Sequence, residues 1–312
     1  MKNTITICEC FARDGLQHEK LFVPTGAKVS LIDRFTDIGF RRIEATSYSN
    51  PDKVPAFRDA SDVLSGIRRG AGVHYKATCA NLRSVTRALA DLDAGYGATE
   101  LSLLVSASES HSLRNLRADR ATQWRNVAEM AKAAAGRFRL VGVISVAFGC
   151  PFEGRIDMTR VVEDAARFAD IGAELLTVGD TTGFATPNLV RRLFTRLRAE
   201  VPQIVPVGHF HDTRGLGLAN CMAAIESGCR LLDSAMGGVG GHPAQIQYGG
   251  GITGNVATED LANMLEEEGL STGLDLDALI EASRVSEQIL GRELESRVAR
   301  SGFGLAGLGR HV

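Results

Sequence analysis

The sequence predicts an α/β fold, a (β/α)8 barrel of the TIM type with additional C-terminal helices. Three observations carry the prediction. Short β-branched or apolar runs alternate with longer stretches of helical periodicity, the alternation repeats eight times, and a glycine usually closes each helical stretch. A doubly wound open sheet is the alternative for such a pattern, but no G-x-G-x-x-G follows the first strand. No Pro/Ser-rich linker or low-complexity tract interrupts the chain, so residues 1–312 read as one domain.

The strand candidates are Thr4–Cys10, Arg42–Thr46, His74–Cys79, Thr99–Val105, Arg139–Phe148, Glu174–Gly179, Val205–His211 and Arg230–Ala235. The helices between them are marked at their ends. Thr186-Pro187 supplies an N-cap and a first-turn proline, which suit the unpaired N–H groups there. Leu189, Val190, Leu193, Phe194 and Leu197 then make one apolar stripe, and Val161, Val162, Ala165, Phe168 and Ala169 make another. Acidic-x-Gly endings at Asp37–Gly39, Asp93–Gly95, Asp170–Gly172 and Glu226–Gly228 fit left-handed C-caps that turn the chain into the next strand. From about residue 256 the chain reads as helices with loops, Thr258–Glu268 and Leu276–Leu290, packed on or beside the barrel.

Composition narrows the function. Hydrophobic residues at 44% and charged residues at 23% describe a globular protein and exclude disorder, collagen and coiled coil. A net charge of −2 provides no basic field for a nucleic acid or an anionic membrane. No apolar run approaches the ~20 residues that span a bilayer, and the start runs directly into a strand, so no signal peptide is expected and a cytoplasmic location is. Six cysteines without a C-x-x-C pair read as small buried hydrophobes in a reducing compartment.

A barrel of this kind works at the C-terminal ends of its strands, and the unusual polar residues fall there. Arg13 and Asp14 follow the first strand, and Glu44 ends the second. Ser106–Ser110 follow the fourth, Asp180 and Thr181 the sixth, and His209, His211 and Asp212 end the seventh. This convergence on one rim argues for an enzyme. His209-Phe210-His211 is its sharpest element. On a strand, residues i and i+2 share a face with Cα atoms about 6.5–7 Å apart, and two imidazoles so spaced can meet one ion at ~2.0–2.2 Å. Two histidines that merely share a polar face are the plainer reading of a lone H-x-H. With Asp14 across the barrel mouth and the Asn255 amide, the set becomes two nitrogens and two oxygens. Such a set suits Mg²⁺ or Mn²⁺, with Zn²⁺ or Co²⁺ as alternatives.

The sequence resembles the 3-hydroxy-3-methylglutaryl-CoA lyase family. The stretches that carry the resemblance run in family order across nearly the whole chain: Ala12–Gln17, Ile43–Ser47, Ser106–Glu109, Gly149–Gly154, Gly179–Gly183, His209–Thr213 and Gly254–Asp260. The resemblance implies that Asp14, His209, His211 and Asn255 are metal ligands and that Arg13 stabilises the enolate oxygen of the departing acyl-CoA. It also places Glu44, Asp180 and Glu259 around the site, Glu259 in support of the ligands. The implied activity is metal-dependent cleavage of a 3-hydroxyacyl-CoA to acetyl-CoA and a keto acid, with a homo-oligomer, a dimer, expected. Related lyases acting on citramalyl-CoA-like esters, and aldolases or condensing synthases of the same superfamily, are the alternatives.

One departure stands out. Where family lyases carry Gly-Gly-Cys-Pro after the last strand, this chain has Gly240-Gly241-His242-Pro243, and no cysteine follows Cys229. With a reference pKa of ~6.5, His242 can take over proton transfer; contact with the substrate carboxylate and a structural role are its other readings. Tyr248 is a second candidate acid. Cys150 reads as packing as readily as chemistry, and Arg114 and Arg117 as a solvated helix face or as contacts to CoA phosphates.

Overall fold

The structure, a computed structural model, describes residues 4–19, 21–241 and 254–304. Eight parallel strands close into a barrel: β1 (Thr6–Glu9), β2 (Arg42–Ser47), β3 (His74–Cys79), β4 (Glu100–Ser106), β5 (Arg139–Ser145), β6 (Leu175–Asp180), β7 (Val205–Phe210) and β8 (Leu231–Ser234). Each strand pairs with its neighbours in the chain, and the seam is closed by β1 on β8, from Thr6 opposite Leu231 to Glu9 opposite Ser234.

The fifth strand is shorter than the sequence predicts. Val146 takes a left-handed backbone with φ 52°, and its N–H turns to Thr181 Oγ1 at 3.0 Å. The residues beyond it form a small antiparallel ribbon, Gly149–Cys150 against Gly154–Arg155. β7 stops at Phe210, because His211 leaves the ladder to bridge Asn255 instead. The expected caps are present: Thr186 accepts the Leu189 N–H, and Gly39, Gly95, Gly172 and Gly228 all have positive φ.

Apolar faces of the surrounding helices pack on the outer face of the barrel, and Phe210 shows how this positions the rim. It is fully buried between Phe148 and Phe194, with ring centroids 6.1 and 6.2 Å away, so its neighbours in the alternation, His209 and His211, must face inward. Inside the barrel, Val141, Leu175, Val207 and Leu231 form a small apolar plug. The other side of the interior is charged. Arg42 is buried and forks onto Glu100, with Nη2 2.8 Å from Oε2.

The C-terminal helices lie beside the barrel. Leu276–Leu290 packs on Thr25–Ile38, and Asp275 N–H donates to Ile38 O at 2.9 Å. Thr258–Glu267 and Leu276–Leu290 both meet the turn Met236–Gly238 that follows β8. Among the described residues, no helix is long and apolar enough to cross a membrane.

Candidate active site

The turn after β1 is built from backbone hydrogen bonds, Arg13 N and Gly15 N both donating to Cys10 O. It delivers two charged side chains to the barrel mouth. The Arg13 guanidinium donates from Nε to Glu44 Oε1 at 2.7 Å, and from Nη1 to Asp14 Oδ1 at 2.7 Å and Gln17 Oε1 at 3.2 Å. Two carboxylates thus fix the plane of the fork and leave Nη2 free of hydrogen bonds among the described residues. Glu44 is itself buried and also accepts from Thr78 Oγ1 at 2.8 Å. Burial opposes its charge, but Arg13 and Lys76 outweigh burial and hold the carboxyl below its usual range.

Asp14 faces both histidines. Its Oδ2 lies 3.8 Å from His209 Nε2 and 3.8 Å from His211 Nε2, and the two Nε2 atoms are 3.2 Å apart. Burial works against the Asp14 charge, yet Arg13, the two imidazoles and the Asn255 amide hold the carboxyl well below the usual carboxylate range. His211 is driven the other way. Burial, with His209 beside it, pushes it down to about 4, so its imidazole is neutral at pH 7, the form that ligates metals. His209 has Asp233 Oδ2 3.4 Å from Nδ1; burial opposes its protonation, but Asp233 and Asp14 raise it above the usual range.

Asn255 completes the cluster from the far end of the chain. Its Nδ2 donates to Asp14 Oδ2 at 2.7 Å and to Val239 O at 2.9 Å. Both donors are used, and Oδ1 is left buried without a hydrogen-bond partner among the described residues. Two glycines allow this close approach. A Cβ on Gly254 would collide with Gly238 O, and Gly240 has φ 104° while its missing Cβ would lie 2.6 Å from Asn255 Nδ2.

These donors fit a divalent ion. A carboxylate oxygen and two Nε2 atoms lie within 4.8 Å of one another, and the orphaned amide oxygen needs a positive partner that no donor here provides. The mixed nitrogen and oxygen set without thiolate matches Mg²⁺ or Mn²⁺ better than a thiophilic metal.

The structure places the other expected residues less centrally. Asp180 is buried, and its Oδ1 accepts the Phe184 and Ala185 N–H groups at 2.8 and 3.0 Å. It organises the turn after β6 and is not among the residues lining the central cavity. Its Oδ2 has no hydrogen-bond partner among the described residues, and burial, against those two amides, raises the carboxyl to about 7. Glu259 lies behind the site, accepting from Gly237 N at 2.9 Å and from the Ser283 hydroxyl, and so holds the turn that leads to Gly240 and Gly241. Cys150 packs against Ser108, and Arg114 stacks on Phe152 at 4.2 Å. His242 and Tyr248 lie outside the described residues.

Two buried charges were not singled out from the sequence. Lys76 on β3 stands 3.6 Å from Glu44 Oε2 and 3.5 Å from Asp233 Oδ2. Asp233 on β8 joins Lys76 to His209. The signal for both was an interior charge in a strand-like run, Lys76 within His74–Cys79 and Asp233 within Arg230–Ala235. Above them opens a cavity of about 210 Å³, lined by Arg13, Asp14, Glu44, His209, His211 and Gly241 at its rim.

Comparison with known proteins gives a consistent picture. The family model described as HMGL-like matches residues 4–285. Mitochondrial hydroxymethylglutaryl-CoA lyase of Mus musculus is 37% identical over 298 residues, covering 95% of this chain and 89% of that protein. Cytoplasmic 3-hydroxy-3-methylglutaryl-CoA lyase of Homo sapiens is 36% identical over 300 residues, 96% of this chain and 79% of that one. The solved structure of an HMG-CoA lyase from Acenitobacter baumannii in complex with coenzyme A and 3-methylmalate superposes with a TM-score of 0.91 at 38% identity, covering 98% of this chain and 97% of that chain. The carboxyl transferase domain of Rhizobium etli pyruvate carboxylase shares the fold alone, at 17% identity, a TM-score of 0.71, and coverage of 92% of this chain and 47% of that chain.

Proposed function

The chain belongs to the HMGL-like family and is a carbon–carbon lyase, and from that premise we propose that it cleaves a 3-hydroxyacyl-CoA between C2 and C3 to acetyl-CoA and a keto acid, with a divalent ion as cofactor. 3-Hydroxy-3-methylglutaryl-CoA or a related ester is the substrate. The observation that carries this reading is the meeting of Asp14, His209, His211 and the orphaned Asn255 oxygen beside a guanidinium with a free edge.

Asp14, His209, His211 and Asn255 would hold the ion, which when bound would supply Lewis acidity to the substrate hydroxyl. Arg13 is preorganised by Glu44 and Asp14, so its Nη2 edge meets the negative charge that develops on the thioester oxygen as the bond breaks. Glu44 keeps the fork in plane. Asp180 does not line the cavity, so we assign it the hydroxyl proton through a bridging water at the barrel mouth, a task that its second carboxylate oxygen and a carboxyl near neutrality suit. The enolate carbon then needs an acid. We assign that step to His242, which follows Gly241 of the cavity rim in the chain. The reading includes a single catalytic domain over 1–312, a cytoplasmic location, in keeping with six buried cysteines in no disulfide, and a dimer.

The test is acetyl-CoA release from a panel of 3-hydroxyacyl-CoA esters with Mn²⁺ or Mg²⁺, and with chelator. Release from one ester that chelator abolishes is the expected result. Silence across the panel while Mn²⁺ still binds would overturn the acyl-CoA reading.

A further inference from the structure

The cavity continues below the rim to a floor that the mechanism above does not use. Lys76, Ser102, Thr177 and Asp233 all line it and are 2, 0, 3 and 1% exposed. Lys76 Nζ is held by charge between Asp233 Oδ2 at 3.5 Å and Glu44 Oε2 at 3.6 Å. Ser102 Oγ and Thr177 Oγ1 have no hydrogen-bond partner among the described residues, and Asp233 is held by charge alone, with His209 Nδ1 3.4 Å and Lys76 Nζ 3.5 Å from Oδ2 and Arg42 Nη1 3.8 Å from Oδ1. The wall beside them is apolar, with Leu104 and Val143.

Buried hydroxyls and carboxylates without partners are costly, and native structures retain them where a ligand or water completes them. A methyl group seated here would leave the Ser102 and Thr177 hydroxyls unpaired. A carboxylate fits little better, because Lys76 already lies between two carboxylates and the floor carries no surplus positive charge. A hydroxyl both donates and accepts, so it can meet Asp233 or Thr177 with its proton and Lys76 or Ser102 with its lone pairs.

We infer that Lys76, Ser102, Thr177 and Asp233 form a subsite for a neutral, hydroxyl-bearing substituent on C3 of the acyl group. The inference rests on the lyase reading above: the residues that would hold the ion stand at the rim, where the C3 hydroxyl would be acidified, and the remaining C3 substituent has the floor. The preferred ester is then more polar than the 3-methyl ester.

The test compares kcat/KM for CoA esters of 3-hydroxyglutarate that differ only at C3, bearing hydrogen, methyl or hydroxymethyl, with Mn²⁺ present. The hydroxymethyl ester should exceed the methyl ester at least tenfold, a modest demand on a site built to pair a hydroxyl. Thr177→Val and Ser102→Ala, both near-isosteric, should each cut that ratio at least tenfold. A wild-type preference for methyl, or a ratio that both substitutions leave unmoved, would overturn the subsite. Calorimetry of the free C3-substituted acids with chelator present reads the floor without catalysis. The hydroxymethyl acid should bind at least fivefold more tightly than the methyl acid, and lose that advantage in Thr177→Val; equal affinities refute the subsite. If every ester is silent, the lyase reading fails by itself, and the calorimetry still decides the floor.

Discussion

Asp14 is held by one cation, two imidazoles and an amide, more partners than a carboxylate needs for packing alone. Asp14→Ala and His211→Ala should therefore lose activity and tight Mn²⁺ binding together, measured by calorimetry on the same preparations; retained affinity would remove that residue from the ligand set. Arg13→Lys should bind Mn²⁺ normally but lose about 10²–10³-fold in kcat, because a point charge cannot hold Glu44 and Asp14 while presenting a third edge. Asp233→Asn tests the support beneath. Without the charge opposite His209 Nδ1, Mn²⁺ affinity should fall about 10–100-fold in titrations. At this scale the sequence was legible where chemistry-bearing residues cluster at strand ends, as in Arg13-Asp14 and His209-Phe210-His211. Lys76 and Asp233 escaped because each is a single charge inside a strand, and only the closed barrel brings them within 3.5 Å of one another.

The elements were read from periodicity, and they differ from that reading where side chains outcompete the ladder. Thr181 draws the Val146 amide out of line, which shortens β5, and Asn255 captures His211 from β7. Neither partner is near in sequence, so no local pattern announces it. Glu9, in β1, belongs here as well. It is fully buried and accepts from Phe11 N, Met236 N and Thr258 Oγ1, tying the first strand to the turn after β8 and to the helix Thr258–Glu267. Burial, against those three donors, raises its carboxyl to about 8. Its ordinary value is 4.5, so between about 4.5 and 8 the folded protein binds a proton that the unfolded chain has released. Stability therefore falls as pH rises through that window, by about 2 kcal/mol between pH 6 and 8. Urea unfolding at the two pH values should show this slope in the wild type. Glu9→Gln, which keeps the shape of the protonated acid, should remove about 2 kcal/mol of the fall and leave the part due to Asp180 and Glu259, whose carboxyls burial raises to about 7.

The whole barrel was legible because eight repeats of one grammar leave few ways to close a sheet, and each strand pairs with its chain neighbour. The proposed ligand set gathers the turn after β1, the end of β7 and the segment at Asn255 across the closing seam, so an ion bound there would tie the first strand to the segment that follows the last. At one hundred times its Kd, Mn²⁺ should add about 2.7 kcal/mol to the unfolding free energy, a rise of roughly 5 °C in Tm for a chain of this size. Asp14→Ala should abolish the rise in a calorimetric scan. The seam between β1 and β8 also has a consequence in time. Asp14 and Asn255 hydrogen-bond across 241 positions of sequence. A ribosome adding ~5–20 residues per second exposes the first of them roughly 12–48 seconds before it makes the second. Through that interval the nascent chain carries Arg13 and Asp14 beside an unpaired sheet edge, with neither histidine nor amide in place for most of it. Synthesis that stalls before Asn255 yields a chain whose proposed ligand set lacks its amide, so metal affinity would mark the difference between a chain carried past that point and an interrupted one.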